Sequence, residues 1–310
     1  WQVLEMDRIT ERFIKDCRVG GMTDRSRDSY LTCIKVYQAY LENHEKDFLT
    51  ASKEDLRDFI EYLKLERELS VATVKRYLAA ISSLYEYMVS DNLVPVNIVS
   101  SIRARYIRQY KDNNDNHTRK LISKEDMARM INSEMDIRDK AIITLLAKTG
   151  IRRNELITLD LSDVDFVEQR IRFKSTAKRT NRTVFFDEEA AFILRRWLRI
   201  REGRNLKGNP ALFLNAEGDR LERRGVYDAV QKAAERVSLH DPSSQIMEDR
   251  FSPHCCRHWF TTHLRRAGMP REFIQVLRGD VGREAIDIYD HIDLKELKES
   301  YLAHIPQLGI

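Results

Sequence analysis

The sequence predicts a mainly α-helical protein with a small β-sheet, its 310 residues divided between a helical N-terminal bundle and a larger α+β domain. Three observations predict it. Apolar residues recur three and four apart through the N-terminal third, the spacing of amphipathic helices. A stretch with no aliphatic side chain then interrupts the pattern. Beyond it helical patterns resume, broken once by three short strand-like segments bounded by turn formers. With 42% apolar and 33% charged residues, the chain can form two domains that each bury a core.

Residues 1–108 read as four helices. Asp7 to Cys17 and Thr23 to Asn43 carry helical periodicity, the second through Tyr30, Ile34, Tyr37, Tyr40 and Leu41. The third, Ser52 to Leu65, opens with a Ser cap and the acidic first turn Glu54-Asp55, which suits the positive end of the helix dipole. Ser70 to Ser90 buries Val74, Leu78, Ile81, Leu84, Tyr85 and Met88, and Asp91 to Pro95 ends it. Residues 109–120 (Gln-Tyr-Lys-Asp-Asn-Asn-Asp-Asn-His-Thr-Arg-Lys) cannot bury themselves and predict a flexible linker.

The second domain, 121–310, starts at the cap-like Ser123-Lys124-Glu125-Asp126. Asp136 to Thr149 is a core helix stopped by Gly150. Leu161 to Val167, Arg170 to Ser175 and Thr183 to Phe186 predict strands, the last two joined by a turn carrying Lys178. Helices return at Asp187 to Glu202 and Leu221 to Val237. The latter carries Arg223 and Arg224 and is a candidate for insertion into a nucleic-acid groove. Ser252-Pro253 is an N-cap with Pro at the first helical position, and the helix should run to Ala267 before Gly268. Arg271 to Leu277 is closed by Gly279, a further short helix leads to Ile288-Tyr289-Asp290-His291, and Asp293 caps a tail helix over 293–304.

Chemistry concentrates in a few places. His254 and Arg257 lie in the first turn of their helix, where free N–H groups and the dipole already favour anions. Upstream, Thr149-Gly150-Ile151-Arg152-Arg153-Asn154-Glu155-Leu156 sets an Arg in a Gly-started turn with a Glu three residues on. With Ser252-Pro253-His254-Cys255-Cys256-Arg257-His258 and Ile288-Tyr289-Asp290-His291, these motifs match the tyrosine recombinase (phage integrase, Xer-like) family in order and spacing. The sequence resembles that family over nearly its whole length.

The resemblance implies an N-terminal SAM-like core-binding bundle that clamps DNA, with Lys75 and Arg76 as backbone-contact candidates, and a catalytic domain that cuts and rejoins duplex DNA without cofactor. Tyr289 would be the nucleophile, leaving a 3′-phosphotyrosyl link and a free 5′ hydroxyl. Arg152 and Arg257 would hold the scissile phosphate, and His254 would exchange the tyrosine proton or bond a phosphate oxygen. Lys178 would protonate the leaving oxygen. The residues themselves keep rivals open: Arg153 beside Arg152, Lys174 near Lys178, and Tyr301 for Tyr289. This chemistry suits these residue types. A Tyr hydroxyl can be activated and preserves the bond energy as a phosphotyrosine, while planar Arg forks bind two phosphate oxygens at once. Where the family usually has His or Trp, nine residues before the tyrosine, this sequence has Asp280, a catalytic-site position that could orient Arg257, His258 or the tyrosine loop. The tail beyond the tyrosine, 294–310, needs a surface to pack on: that of its own catalytic domain or, as the resemblance implies, that of a neighbouring subunit of a tetramer assembled on DNA.

Composition sets further bounds. Net charge is only +4, but Arg170 to Arg182 holds six basic residues and no acid, and Arg195 to Lys207 holds six against one Glu. Such runs are the footprint of a polyanion, here double-stranded DNA, and make Arg179 and Arg182 contact candidates. No run of 18 apolar residues exists, Trp1-Gln2-Val3 resembles no signal peptide, and four cysteines suggest a reducing compartment. The expected location is the cytoplasm, in association with the nucleoid. A zinc site from His254, Cys255, Cys256, His258 and His263 is disfavoured by spacing, since no Cys-x-x-Cys is present. A type IB topoisomerase and a DNA-binding protein that has lost catalysis are the alternative readings.

Overall fold

The computed structural model describes residues 2–107, 121–173, 182–205, 207–244, 246–280 and 292–310, without the side chains of 2, 3, 103–107 and 247. Contacts divide the chain into two compact units, residues 1–115 and 116–310.

The first unit is all helical: α1 (Gln2–Val19), α2 (Asp24–Asn43), α3 (Lys53–Glu61, continued by a wider turn over Tyr62–Glu66), α4 (Val71–Ser90) and α5 (Ile98–Ile107). The apolar stripe expected on α4 is buried throughout, from Val74 to Met88. On α2, Ile34, Tyr37 and Leu41 reach the core while Tyr30 and Tyr40 pack at its edge. Ser52 and Asp55 form a reciprocal capping box at the start of α3. Helix α5 was not anticipated. It lacks a strong amphipathic pattern and is held by Asn97, whose Oδ1 accepts the Val99 N–H and whose Nδ2 donates to the Ser82 carbonyl on α4.

The second unit is built around α7 (Ile137–Thr149), whose residues from Ala141 to Thr149 are all buried. Packed with it are α6 (Lys124–Asn132), α9 (Glu188–Arg204), α10 (Arg223–Arg236) and α11 (Pro253–Arg266). Gly150 ends α7 with φ +61°, and a Cβ there would lie 2.3 Å from the Phe260 ring of α11. Glycine is therefore required both for the left-handed turn and for the close approach. The chain then enters α8 (Arg153–Thr158) and a three-stranded antiparallel sheet, β1 (Val164–Asp165), β2 (Arg170–Arg172) and β3 (Thr183–Phe185). The β2–β3 pairing extends past Ile171↔Val184 to the Phe173 N–H and the Arg182 carbonyl, so Arg182 stands at the mouth of the hairpin. Helices α12 (Arg271–Arg278) and α13 (Leu294–His304) complete the unit.

Two expectations need correction. The strand read over Leu161 to Val167 shrinks to two residues: Asp163 Oδ2 accepts the Asp160 N–H, Asp165 Oδ1 accepts the N–H groups of Val167 and Glu168, and both ends curl into turns. Val167 is left 89% exposed. The basic run Arg195 to Lys207 is not one surface. Arg201 is buried and donates to the carbonyls of Asn209 and Ala211, while Arg204 and Lys207 pair with Asp136 and Asp219.

The tail packs on its own catalytic domain, one of the two surfaces the sequence left open for it. Leu297, Tyr301, Ile305 and Leu308 belong to the same core as α7. The Tyr301 hydroxyl donates to the Lys148 carbonyl (2.9 Å), and the fully buried Lys148 ammonium donates to Asp187 (2.5 Å), Glu189 and the Pro306 carbonyl (2.7 Å). Glu189 also accepts the N–H groups of Leu308 and Gly309. Lys148→Ala would leave two carboxylates in the interior without their cation, so chemical unfolding should show a loss of about 3–5 kcal/mol. A loss below about 1 kcal/mol, the range of exposed pairs, would mean the tail is not held by this charge.

Candidate active site

Arg152, the residue that caps α8, is brought beside Arg257 of α11 by the turn at Gly150. Arg257 is 3% exposed and donates to the Gly150 carbonyl (2.7 Å), to the Arg278 carbonyl (2.7 Å) and to Asp280 Oδ1 (3.0 Å). Arg152 donates to the same Arg278 carbonyl (3.1 Å), to Asp280 Oδ1 (2.5 Å) and to Glu155 Oε1 (3.2 Å). Glu155 Oε2 accepts the Arg152 N–H, so this residue orients the arginine as its place one turn along suggested. The competing Arg153 lies over the Tyr227 ring at 5.8 Å.

Two further groups complete the cluster. Arg182 donates to the Arg278 carbonyl (2.6 Å) and to Glu155 Oε2 (2.7 Å), and Arg278 pairs its own side chain with Asp280 Oδ2 (2.7 Å). One carbonyl oxygen, that of the last residue of α12, thus accepts from Arg152, Arg182 and Arg257. The C-terminal end of a helix carries partial negative charge, which suits it to cations. Arg257 is pulled down to about 10, first by burial and then by Arg152, against which Asp280 acts. It is still charged at neutral pH.

The expectation for Arg182 as a DNA contact is overturned. Its side chain is turned inward, 8% exposed, and spans Glu155 and α12 instead of facing outward. Its signal in the sequence was hidden in a basic run, and Arg278 carried none beyond its place before Gly279. His254 and His258 lie exposed at the start of α11 and border a cleft of about 280 Å³ with Arg257, Thr261, Arg265 and Arg278. Tyr301 is fully buried, with burial pushing its hydroxyl well above the usual range, so it is no rival nucleophile. Cys256 and His263 face the core, the latter against the Ile122 carbonyl, away from exposed His254 and His258. Tyr289, Lys178, Lys174 and Arg179 lie outside the described residues. Of the remaining DNA-contact candidates, Arg76, Arg223 and Arg224 are exposed, Lys75 is half-buried, and Arg224 pairs with Asp228 on its own helix.

Comparison with known proteins places the chain in a family. The model described as "Phage integrase family" matches residues 120–296, and that of "Phage integrase, N-terminal SAM-like domain" matches 9–94. The chain belongs to the phage integrase family. It is 31% identical over 243 residues to a tyrosine recombinase XerC of Haemophilus ducreyi, covering 77% of this chain and 74% of that one. With a XerC of Herpetosiphon aurantiacus identity is 28% over 297 residues, 93% and 91% of the two chains. Among solved structures, the XerH site-specific recombinase bound to palindromic difH substrate shares the fold with a TM-score of 0.69 at 21% identity, covering 94% of this chain and 83% of that chain. A lambda integrase dimer bound to a core site does so at 0.68 and 13%, covering 93% and 99%. The protein is thus a tyrosine recombinase by family, mainly α with a small sheet.

The integrase cluster depends on Gly279, which has φ +60° and where a Cβ would sit 2.2 Å from Arg182 Nη1. Gly268 has φ +95° with nothing within 4 Å. Gly268→Ala should therefore show only the strain of a left-handed residue, about 1–2 kcal/mol in thermal unfolding. Gly279→Ala should cost more and displace Arg182. Equal losses at the two positions would mean Arg182 has room to spare.

Proposed function

We propose that the protein is a site-specific DNA recombinase that cuts and rejoins duplex DNA through a 3′-phosphotyrosyl intermediate. The observation that carries this reading is the convergence of Arg152 and Arg257, from separate helices, on a single anion. Two planar guanidinium forks fixed by backbone carbonyls are arranged to hold the non-bridging oxygens of a phosphodiester, and to strengthen their hold as negative charge grows there.

In this reading the Tyr289 oxygen attacks phosphorus in line, the bond to the 5′ oxygen breaks, and Lys178 supplies the proton that oxygen takes. His254, at the open start of α11, takes the tyrosine proton or bonds a phosphate oxygen. Asp280 belongs to the site through the arginines. Religation runs the same steps backwards, with a 5′ hydroxyl attacking the phosphotyrosine. The protein works in the cytoplasm on nucleoid DNA, as a homo-tetramer spanning two duplexes. Exposed Arg76, Arg223 and Arg224, together with Lys75, contact the DNA backbone.

The test is a nicked suicide duplex that traps the covalent adduct. Tyr289→Phe should abolish the adduct and leave binding intact. Arg152→Ala and Arg257→Ala should lower cleavage by orders of magnitude with a much smaller change in affinity, because each fork matters most in the transition state. An adduct that survives Tyr289→Phe would discard this nucleophile. With roughly 6 to 10 phosphate contacts, affinity should fall about 10³ to 10⁵ between 50 and 200 mM salt. A nearly flat response would remove the DNA clamp from the reading.

A further inference from the structure

We propose that Asp280 is an internal stand-in for the scissile phosphate, occupying the arginine cluster in the DNA-free protein and exchanging with a DNA phosphate when the duplex docks. The inference rests on the reading of Arg152 and Arg257 as the phosphate clamp.

The match is one of charge and valence. A phosphodiester presents one negative charge over two non-bridging oxygens, and so does a carboxylate. Asp280 uses Oδ1 for both Arg152 and Arg257, at 2.5 and 3.0 Å, and Oδ2 for Arg278 at 2.7 Å. These are the bonds a docked phosphodiester would take over. Replacing one anion by the other keeps one negative partner in hydrogen-bond reach of the arginines, while the displaced carboxylate stays tethered nearby and sets a threshold that an incoming phosphate must exceed.

The cluster also needs such an anion. Arg152, Arg182, Arg257 and Arg278 meet around Glu155 and Asp280, four guanidiniums against two carboxylates. Glu155 is committed to Arg152 and Arg182 and is 11% exposed at its side chain. Without Asp280, nearly buried Arg257 would face its neighbours with only carbonyl oxygens for partners, a costly state for a charge.

Access permits the exchange. Side-chain exposure is 34% for Asp280, 28% for Arg152 and 33% for Arg278, so the carboxylate sits on the open side of the cluster, while Arg257 forms its floor at 4%. The cleft bordered by His254 shares Arg257 and Arg278 with the cluster. Asp280 directly follows Gly279, whose left-handed turn ends α12, so it is the first residue beyond the helix and not fixed within it.

The experiment measures binding of inorganic phosphate by thermal unfolding of the full chain, since a ligand that binds the folded state raises its stability in proportion to RT ln(1 + [L]/Kd). Asp280→Asn and Asp280→His remove the carboxylate. Both should bind phosphate at least about tenfold more tightly than the parent, and Asp280→Glu should remain as insensitive as the parent. Adding Arg152→Ala to Asp280→Asn should abolish the gain. No gain in either neutral variant, or a gain that persists without Arg152, would overturn the proposal. Failure of both variants to fold would also overturn it, because the carboxylate would then be a structural member and not a replaceable one. The suicide-duplex assay is read separately. The phosphate gain in the neutral variants with no covalent adduct in the parent would discard the recombinase reading and leave the exchange standing. Adduct formation without the phosphate gain would do the reverse.

Discussion

Four arginines cannot share one partly buried corner of a protein unless something negative is fixed among them. Like charges at these separations repel strongly in a medium less polar than water, and a buried guanidinium also gives up its hydration. The answer here is built from backbone before side chains. The carbonyl at the end of α12 accepts from Arg152, Arg182 and Arg257, and the carbonyl of Gly150 takes the remaining fork of Arg257. Helix ends offer such carbonyls without a partner, so two helix terminations serve as the floor of the site. Gly150 and Gly279 stand at those terminations, each with a left-handed backbone and a neighbour that leaves no room for a Cβ. The two glycines and the arginine cluster form a single arrangement.

The same helix that ends at Gly150 ties the site to the tail. One residue apart on α7, Lys148 and Thr149 are fully buried just before that turn. Lys148 gathers Asp187 from the start of α9, Glu189 and the Pro306 carbonyl, while Tyr301 closes over the Lys148 carbonyl. Interiors are close-packed and transmit displacement, so a shift of the tail would be felt at the turn that sets Arg152 and Arg257. The tail thus supports the geometry of the clamp from inside the subunit.

Much of this was legible in the sequence, for identifiable reasons. Helices with a long apolar stripe, such as α4 and α7, follow from periodicity alone. Helix punctuation (Gly150, Ser252-Pro253) marks where Arg152, His254 and Arg257 sit, and the family resemblance singles them out from neighbours such as Arg153. What was misread depended on partners distant in sequence. Arg182 looks like any residue of a basic run until Glu155 and the end of α12 are placed beside it. Arg201 is hidden the same way by the carbonyls of Asn209 and Ala211. Helix α5 escaped because it has little amphipathic pattern of its own: it buries Ile98, Val99 and Ile102, and Asn97 ties its start to α4. The surface that receives the tail stays open in the sequence because an apolar face states that it needs a surface without stating whose. The buried cation that holds it within the subunit, Lys148, is indistinguishable in sequence from a solvated lysine.

The departure at Asp280 follows from the same electrostatics. Burial and neighbouring arginines pull Arg257 down to about 10, yet that still lies well above neutrality, so its charge is present whether or not DNA is bound. A permanently charged clamp cannot be switched by titration near neutral pH. It can be switched only by which anion it holds. A histidine or tryptophan at position 280 would leave that choice to solvent ions, whereas an aspartate fills the position with an anion of fixed stoichiometry that no dilution removes. The carboxylate is tethered and so has a high local concentration, which raises the threshold for stray phosphate. In the proposed reading, a duplex would overcome that threshold because backbone contacts elsewhere would deliver its scissile phosphate to the cluster at a high local concentration of its own.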